Sequence, residues 1–330
     1  MNNENYPLPN LIGNQDKGIS FFPTVNGLKM HFRCYKNQDF QITKGEVALF
    51  DSGSPFFSTA FGNVIDLMSK KDVMSAMGVE TACFFDRYGY GWSDLSPLPL
   101  GAENFVSMLK ESIDLVPCLK NKIFFYVGWS YGGLNAQMFA MKYPELIKGI
   151  LTIDGSFRNY LDPLFISQNV AQIQQLENII NIPNEMFKSI CNQGFIGEDQ
   201  GLFTNKSKLI FPSVEITQFF ITNPNQNMLK ALHQELSTFL SSFQRLEELF
   251  NSSSNPNIPF GDIPLVVVTN SNSTDSWVSR QRQLATLSNN SYQFSIYSTH
   301  FIPVLKPQVV VVELSNLILR SIFKLSFCNK

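Results

Sequence analysis

Charge is scarce in this chain and nearly balanced. Lys and Arg number 25 against 27 Asp and Glu, a net charge of -2, and only 16% of residues are charged. So little excess charge leaves no electrostatic footprint for a nucleic-acid backbone or an anionic membrane. Long apolar runs are missing too. None reaches the roughly 18 to 20 residues needed to cross a bilayer. The nearest, Val309 to Phe323, is interrupted by Glu313, Ser315, Asn316 and Arg320. The stretch Met1 to Lys17 is polar and lacks the apolar centre of a secretory leader. The five cysteines (Cys34, Cys83, Cys118, Cys191, Cys328) are odd in number and form no Cys-x-x-Cys pair. They read as free thiols in a reducing compartment, and a cytoplasmic location is expected. No metal and no cofactor is called for. Histidine is rare, with three in the whole chain, so the search for a general base is short.

What is present suffices for a large folded core. The chain has 330 residues, 44% of them hydrophobic, and 30 are Phe. That is an ordinary globular composition. The opening segment reads as antiparallel strands, Ile19 to Phe22 and Leu28 to Tyr35, flanking Val25-Asn26-Gly27, and Asn-Gly is a strong hairpin signal. From Glu46 onward short apolar strands alternate with helical segments. The strands are expected at Val47 to Phe50, Thr81 to Phe85, Ile123 to Val127, Gly149 to Ile153, Leu265 to Thr269 and Tyr292 to Tyr297. Helices are expected at Asn63 to Met77, Ala102 to Val116 and Leu134 to Lys142. Such alternation implies an α/β fold with a mostly parallel sheet covered on both faces. Its ligand crevice should lie beyond the carboxyl ends of the strands.

One interval breaks the rhythm. Ser156 to about Pro259 carries only helical patches, Val170 to Ile180 and Asn227 to Phe250, before an Asn/Ser/Pro-rich return at Asn251 to Pro259. The expected organisation is a core over residues 1–155 and 260–330, with 156–259 inserted as a helical lid.

The chemistry centres on Gly128-Trp129-Ser130-Tyr131-Gly132, which follows an apolar strand and precedes a helix. A serine at the apex of such a strand-to-helix turn is lifted out of the sheet, with a helix N-terminus behind it. Serine is a poor nucleophile at neutral pH and needs a base, which in turn needs an orienting acid. His31 lies in the N-terminal hairpin and His233 in the insertion, where packing or surface roles suffice. His300 follows the last strand and faces the same sheet edge as Ser130, so it is the expected base. Two acids compete. Asp154 ends the strand beside the nucleophile strand and is preferred. Asp275 follows the next strand, at an expected helix start where a capping role would explain it. The oxyanion donors are expected to be the backbone N–H groups of Tyr131 and Ser54, since Gly53 lets that loop approach closely and Pro55 cannot donate.

Four segments together resemble the α/β-hydrolase family: Phe50 to Ser54, Phe85-Asp86-Arg87-Tyr88-Gly89-Tyr90-Gly91-Trp92-Ser93-Asp94, Gly128 to Gly133, and Thr299-His300 through Pro307. The second is similar to the family's Asp-Arg-x-Gly-x-Gly-x-Ser turn and is the most specific. The resemblance runs from about Phe32 to Phe323, leaving out most of the insertion. It implies an eight-stranded sheet with a helical lid after the sixth strand. The chain departs from the pattern at Ser52 and Trp129, where relatives often have His. Where many relatives carry the acid, after the seventh strand, it has Asn272 and Ser273. Haloalkane dehalogenases carry the acid after the sixth strand, the position Asp154 matches. A Ser nucleophile in place of Asp argues against dehalogenase or epoxide hydrolase chemistry.

The expected function is that of a metal-free serine hydrolase acting on a small ester, or an amide or thioester, through an acyl-enzyme. Trp129, Tyr131 and an apolar lid suggest a hydrophobic substrate group. Two rivals remain: a slow or non-catalytic ligand-binding protein on the same scaffold, and an aminopeptidase-like hydrolase using lid carboxylates from Glu185, Glu198 and Asp199.

Overall fold

A computed structural model describes residues 6–37, 45–158, 161–183, 186, 213–221 and 227–323. The strands are β1 (Ile19–Phe21), β2 (Thr24–Val25), β3 (Leu28–Lys29), β4 (His31–Lys36), β5 (Glu46–Asp51), β6 (Val79–Asp86), β7 (Phe124–Trp129), β8 (Ile147–Ile153), β9 (Leu265–Asn270) and β10 (Ser291–Ile296). Eight of them form one sheet in the order β1-β4-β6-β5-β7-β8-β9-β10. β4 runs antiparallel to both β1 and β6, and every other pair in the sheet is parallel. The mostly parallel, eight-stranded α/β sheet expected from the sequence is therefore present.

Strands of a parallel sheet are buried on both faces and read as continuous apolar runs. β7 (Phe-Phe-Tyr-Val-Gly-Trp) is buried at all six positions, as is β9. Alternation then divides the side chains between two layers. Phe124 and Tyr126 join one core with Phe105 and Leu109 of α3 (Ala102–Leu115) and Leu134 and Phe139 of α4 (Tyr131–Lys142). Phe125 and Val127 face the other core, with Val64 and Ile65 of α1 (Gly62–Met68). The Asn-Gly turn closes the small ribbon β2–β3, with Asn26 at φ 51° and Gly27 at φ 78°. The longer pairing, β1 with β4, lies outside it.

The helix expected over Asn63 to Met77 is in fact two, α1 and α2 (Val73–Met77). The intervening Ser69-Lys70-Lys71-Asp72 is exposed and has no apolar residue to face the core, and Asp72 turns the chain at φ 65°. Between β8 and β9 the described residues hold α5 (Pro163–Ile179), α6 (Ser213–Ile221) and α7 (Asn227–Ser252). The helical patch expected from Val170 thus begins seven residues earlier, where Asp162 caps α5 by accepting from Leu164 and Phe165 N–H groups. After β9 come α8 (Asp275–Ala285), α9 (Ile302–Leu305) and α10 (Pro307–Phe323). Among the described residues no helix is long and apolar enough to cross a membrane.

The cysteine expectation fails. Cys34 and Cys83 are directly opposed in the β4–β6 register and form a disulfide. Facing positions of an antiparallel pair bring two Cβ atoms together whatever their distance in sequence. Cys118 is a buried thiol whose Sγ lies 3.9 Å from that of Cys83. Cys191 and Cys328 lie outside the described residues. The pairing removes one support for a reducing, cytoplasmic setting.

Candidate active site

β7 delivers the chain to Ser130, and α4 begins at the next residue. Ser130 sits at φ 53°, ψ -116°, a conformation that costs a non-glycine residue roughly 1–3 kcal/mol. The flanking glycines are required by close approach. A Cβ on Gly128 would run into the Gly132 carbonyl, and one on Gly132 into the Asp51 carbonyl. The turn is further tied by Ser130 N–H to the Ile153 carbonyl (3.1 Å) and Ser156 N–H to the Ser130 carbonyl (2.9 Å).

Three side chains from distant segments meet here. Ser130 Oγ lies 2.8 Å from His300 Nε2, and His300 Nδ1 lies 2.6 Å from Asp154 Oδ2. The histidine side chain is 38% exposed while that of Asp154 is 2%. The imidazole is thus partly open to solvent while its carboxylate partner is not. Asp154 ends β8 at φ 45°, and its Oδ1 accepts from Asn270 N–H (3.1 Å) and from the Trp277 indole (2.6 Å). With these donors and the imidazole around it, both oxygens of the buried carboxylate are hydrogen-bonded. Asp275 instead occupies the first turn of α8. The cap expected of it is provided by Thr274, whose Oγ1 accepts from Trp277 N–H.

Trp129 plays a different part from the one expected. It is buried, donates to the His300 carbonyl (2.9 Å) and packs its ring against Phe56 and Phe301, so it supports the histidine loop. It is absent from the walls of the cavity, about 340 Å³, that opens on Ser130, Asp154 and His300. Tyr131, Phe165, Leu236, Phe239 and Trp277 give that cavity apolar walls, while Gln168, Asn169, Gln172, Asn270 and Ser273 give it polar ones. The lining is therefore mixed, where a hydrophobic substrate group was expected from the sequence. Ser54 and Tyr131, the expected oxyanion donors, both line it beside Ser130. A larger surface hollow of about 620 Å³ near Tyr35, Asp66 and Lys70 has no histidine among the described residues of its lining.

A buried charge network lies under loop 51–55 and escaped the sequence reading. Arg87 Nη1 donates to Asp51 Oδ1 (2.7 Å) and to the Ser52 carbonyl (2.5 Å), and Arg87 Nε donates to Glu235 Oε1 of α7 (2.6 Å). Asp51 also accepts from Tyr126 OH and Asn135 Nδ2. Burial would depress the Arg87 guanidinium, but Glu235 and Asp51 outweigh it and hold it well above its ordinary value. The only available signal was the Asp86-Arg87 turn itself. His233 lies 3.4 Å from Glu177 at the surface, away from the cavity. Glu185, Glu198 and Asp199 lie outside the described residues; among the described residues of the insertion, Glu235 bonds Ser54 and Arg87 beside the site.

Comparison with known proteins agrees with this architecture. The family model for the alpha/beta hydrolase fold matches residues 81–189. The human serine hydrolase BPHL is 30% identical over 123 residues, which span 37% of this chain and 38% of that protein's length. The epoxide hydrolase CorEH superposes with TM-score 0.63 at 14% identity, covering 92% of this chain and 99% of its own. An alpha/beta hydrolase enzyme from a Medee basin deep-sea metagenome library, MGS-M2, gives TM-score 0.61 at 13% identity, covering 94% and 99%. At such identities the structural likeness speaks for the fold alone. The chain therefore has the alpha/beta hydrolase fold.

Proposed function

We propose that this chain, an α/β hydrolase by fold, is a serine hydrolase that cleaves a small carboxylic ester through an acyl-enzyme. The observation that carries the reading is the unbroken line from Ser130 Oγ through the His300 ring to Asp154, open to the cavity at its serine end. Ser130 attacks the substrate carbonyl carbon and its proton passes to His300 Nε2. Asp154, bonded at Nδ1, keeps the tautomer that leaves Nε2 free to accept and stabilises the imidazolium that results. The tetrahedral oxyanion is received by the N–H groups of Tyr131 and Ser54. Collapse expels the alcohol, which takes the proton from His300, and water repeats the sequence to release the acid.

Nucleophile identity separates this reading from epoxide hydrolysis, because the apex residue is Ser130 and not an aspartate. A cavity of about 340 Å³ is near the lower end of ligand sites and suits a small substrate with both apolar and hydrogen-bonding parts. We take residues 156–259 as the lid over the core formed by 1–155 and 260–330, a reading supported by the residues that α5 and α7 contribute to the cavity wall. A fluorophosphonate probe is expected to label Ser130, and p-nitrophenyl esters of short acyl chains to be turned over faster than long ones. Folded protein that neither reacts with the probe nor hydrolyses any of these esters would overturn the assignment.

A further inference from the structure

The oxyanion loop is held from the insertion side by one carboxylate. Glu235, on α7, is 9% exposed and bonds three groups at once. Its Oε1 accepts from Arg87 Nε (2.6 Å), and its Oε2 accepts from Tyr90 OH (2.8 Å) and from Ser54 Oγ at close range. Arg87 carries the constraint onward to Asp51 and to the Ser52 carbonyl, so two of the five residues of loop 51–55 are fixed through the guanidinium and a third directly. The loop has little room to drift the other way. A Cβ on Gly53 would touch Ser130 Cβ, and Gly132 N–H donates to the Ser52 carbonyl (3.2 Å). The same carboxylate that seats α7 therefore sets where the Ser54 backbone lies relative to the nucleophile.

We propose that Glu235 is a positioning residue that makes docking of α7 and assembly of the oxyanion hole a single event. The inference rests on the serine-hydrolase reading of Ser130. An amide donor must already point to where the oxyanion forms, because reorienting it during reaction forfeits its stabilisation. A loop clamped by a buried Arg–Glu pair meets that requirement, and a loop released from it does not. Seating of α7 by substrate would then raise reactivity without any new residue touching the substrate.

The test uses the full chain as wild type, Glu235→Gln and Glu235→Leu, with a p-nitrophenyl ester, a fluorophosphonate and an aryl boronic acid that mimics the tetrahedral intermediate. Glu235→Leu is expected to lower kcat roughly 100-fold, as loss of one oxyanion donor does, with KM changed less than about threefold. Boronate affinity should fall in parallel with kcat, and Glu235→Gln, which keeps the shape and several of the bonds, should fall between. A purely structural role would lower the melting temperature while leaving kcat per folded molecule and boronate affinity intact, and that outcome overturns the proposal. Wild type that resists the fluorophosphonate overturns the hydrolase reading and this inference together. Wild type and Glu235→Leu that label at equal rates overturn this inference alone.

Discussion

The molecule contains two Ser–His–Asp constellations with nearly the same spacing. In one, Ser130 Oγ, His300 and Asp154 are linked at 2.8 and 2.6 Å. In the other, Ser20 Oγ lies 2.9 Å from His31 Nε2, and His31 Nδ1 lies 2.7 Å from Asp86 Oδ2. Everything around them differs. Ser20 lies within strand β1, with no positive φ and no following helix, and its Oγ accepts from Arg33 Nη1 (3.1 Å). His31 is fully buried, stacked under Phe22 and against Trp92. Asp86 also accepts from Ser58 and Trp92 N–H groups, and Ser93 ties His31 N–H to the Asp86 carbonyl. That set pins the Asp-Arg turn to the sheet. The comparison teaches that triad spacing by itself distinguishes nothing. A strained apex and a cavity lined by Ser54 and Tyr131 accompany one copy, and tight packing accompanies the other.

The sharpest way to break the comparison is to remove each serine. Ser130→Ala is expected to abolish fluorophosphonate labelling and lower ester turnover by about 10⁴-fold or more, while Ser20→Ala leaves both unchanged. Equal losses would show that the distinction drawn from the surroundings is wrong. Exchanging the histidines should reverse the pattern between activity and stability. His300→Ala removes activity to a similar extent with a small change in the urea midpoint, since the ring is partly exposed. His31→Ala leaves Asp86 buried without its ring partner and is expected to cost about 3 kcal/mol in urea unfolding.

A finer cut tests the surroundings of the acid. Trp277→Phe keeps the ring beside His300 but deletes the indole donor to Asp154, and kcat should drop about tenfold, on the scale of a lost hydrogen bond to a charged group. The smallest effect belongs to a rim pair outside both constellations. Arg245 of α7 binds Glu103 of α3 through two bonds, 2.7 and 3.2 Å, and this holds Glu103 below the usual carboxylate range. A lowered carboxylate stabilises the fold above its ordinary pKa and loses that contribution as pH falls through the lowered one. Glu103→Gln should therefore lower thermal stability slightly at pH 7, less at pH 3, and less again in high salt, because the pair is solvent-screened. A pH-independent loss would contradict the assignment.

Local pattern made much of this legible in advance. The elbow needs glycines at two fixed offsets from its serine, the base had three candidates, and Asp154 could be preferred because it ends the strand next to β7. Asp154 was separable from Asp275 only once the fold brought it within 2.6 Å of His300 Nδ1. Trp129 was misjudged because its neighbour in sequence is the proposed nucleophile, yet alternation along β7 sends its side chain to the opposite layer. The break after Met68 and the early start of α5 depended on exposed polar residues and a cap, signals weaker than hydrophobic periodicity.

Sequence alone determined the alternating strands and helices, the sheet they form, and the serine, histidine and acid at its edge. Each of those follows from short-range periodicity or from residue types whose backbone preferences are intrinsic. Tertiary structure decided the Glu235–Arg87 clamp, joined across 148 positions, and the Trp277–Asp154 bond, across 123. It also decided the Cys34–Cys83 pair and the buried Ser20–His31–Asp86 set. Nothing in the spacing of such partners marks them, because strand order and helix docking choose which distant side chains share a buried space, and burial then requires each charge among them to find a partner.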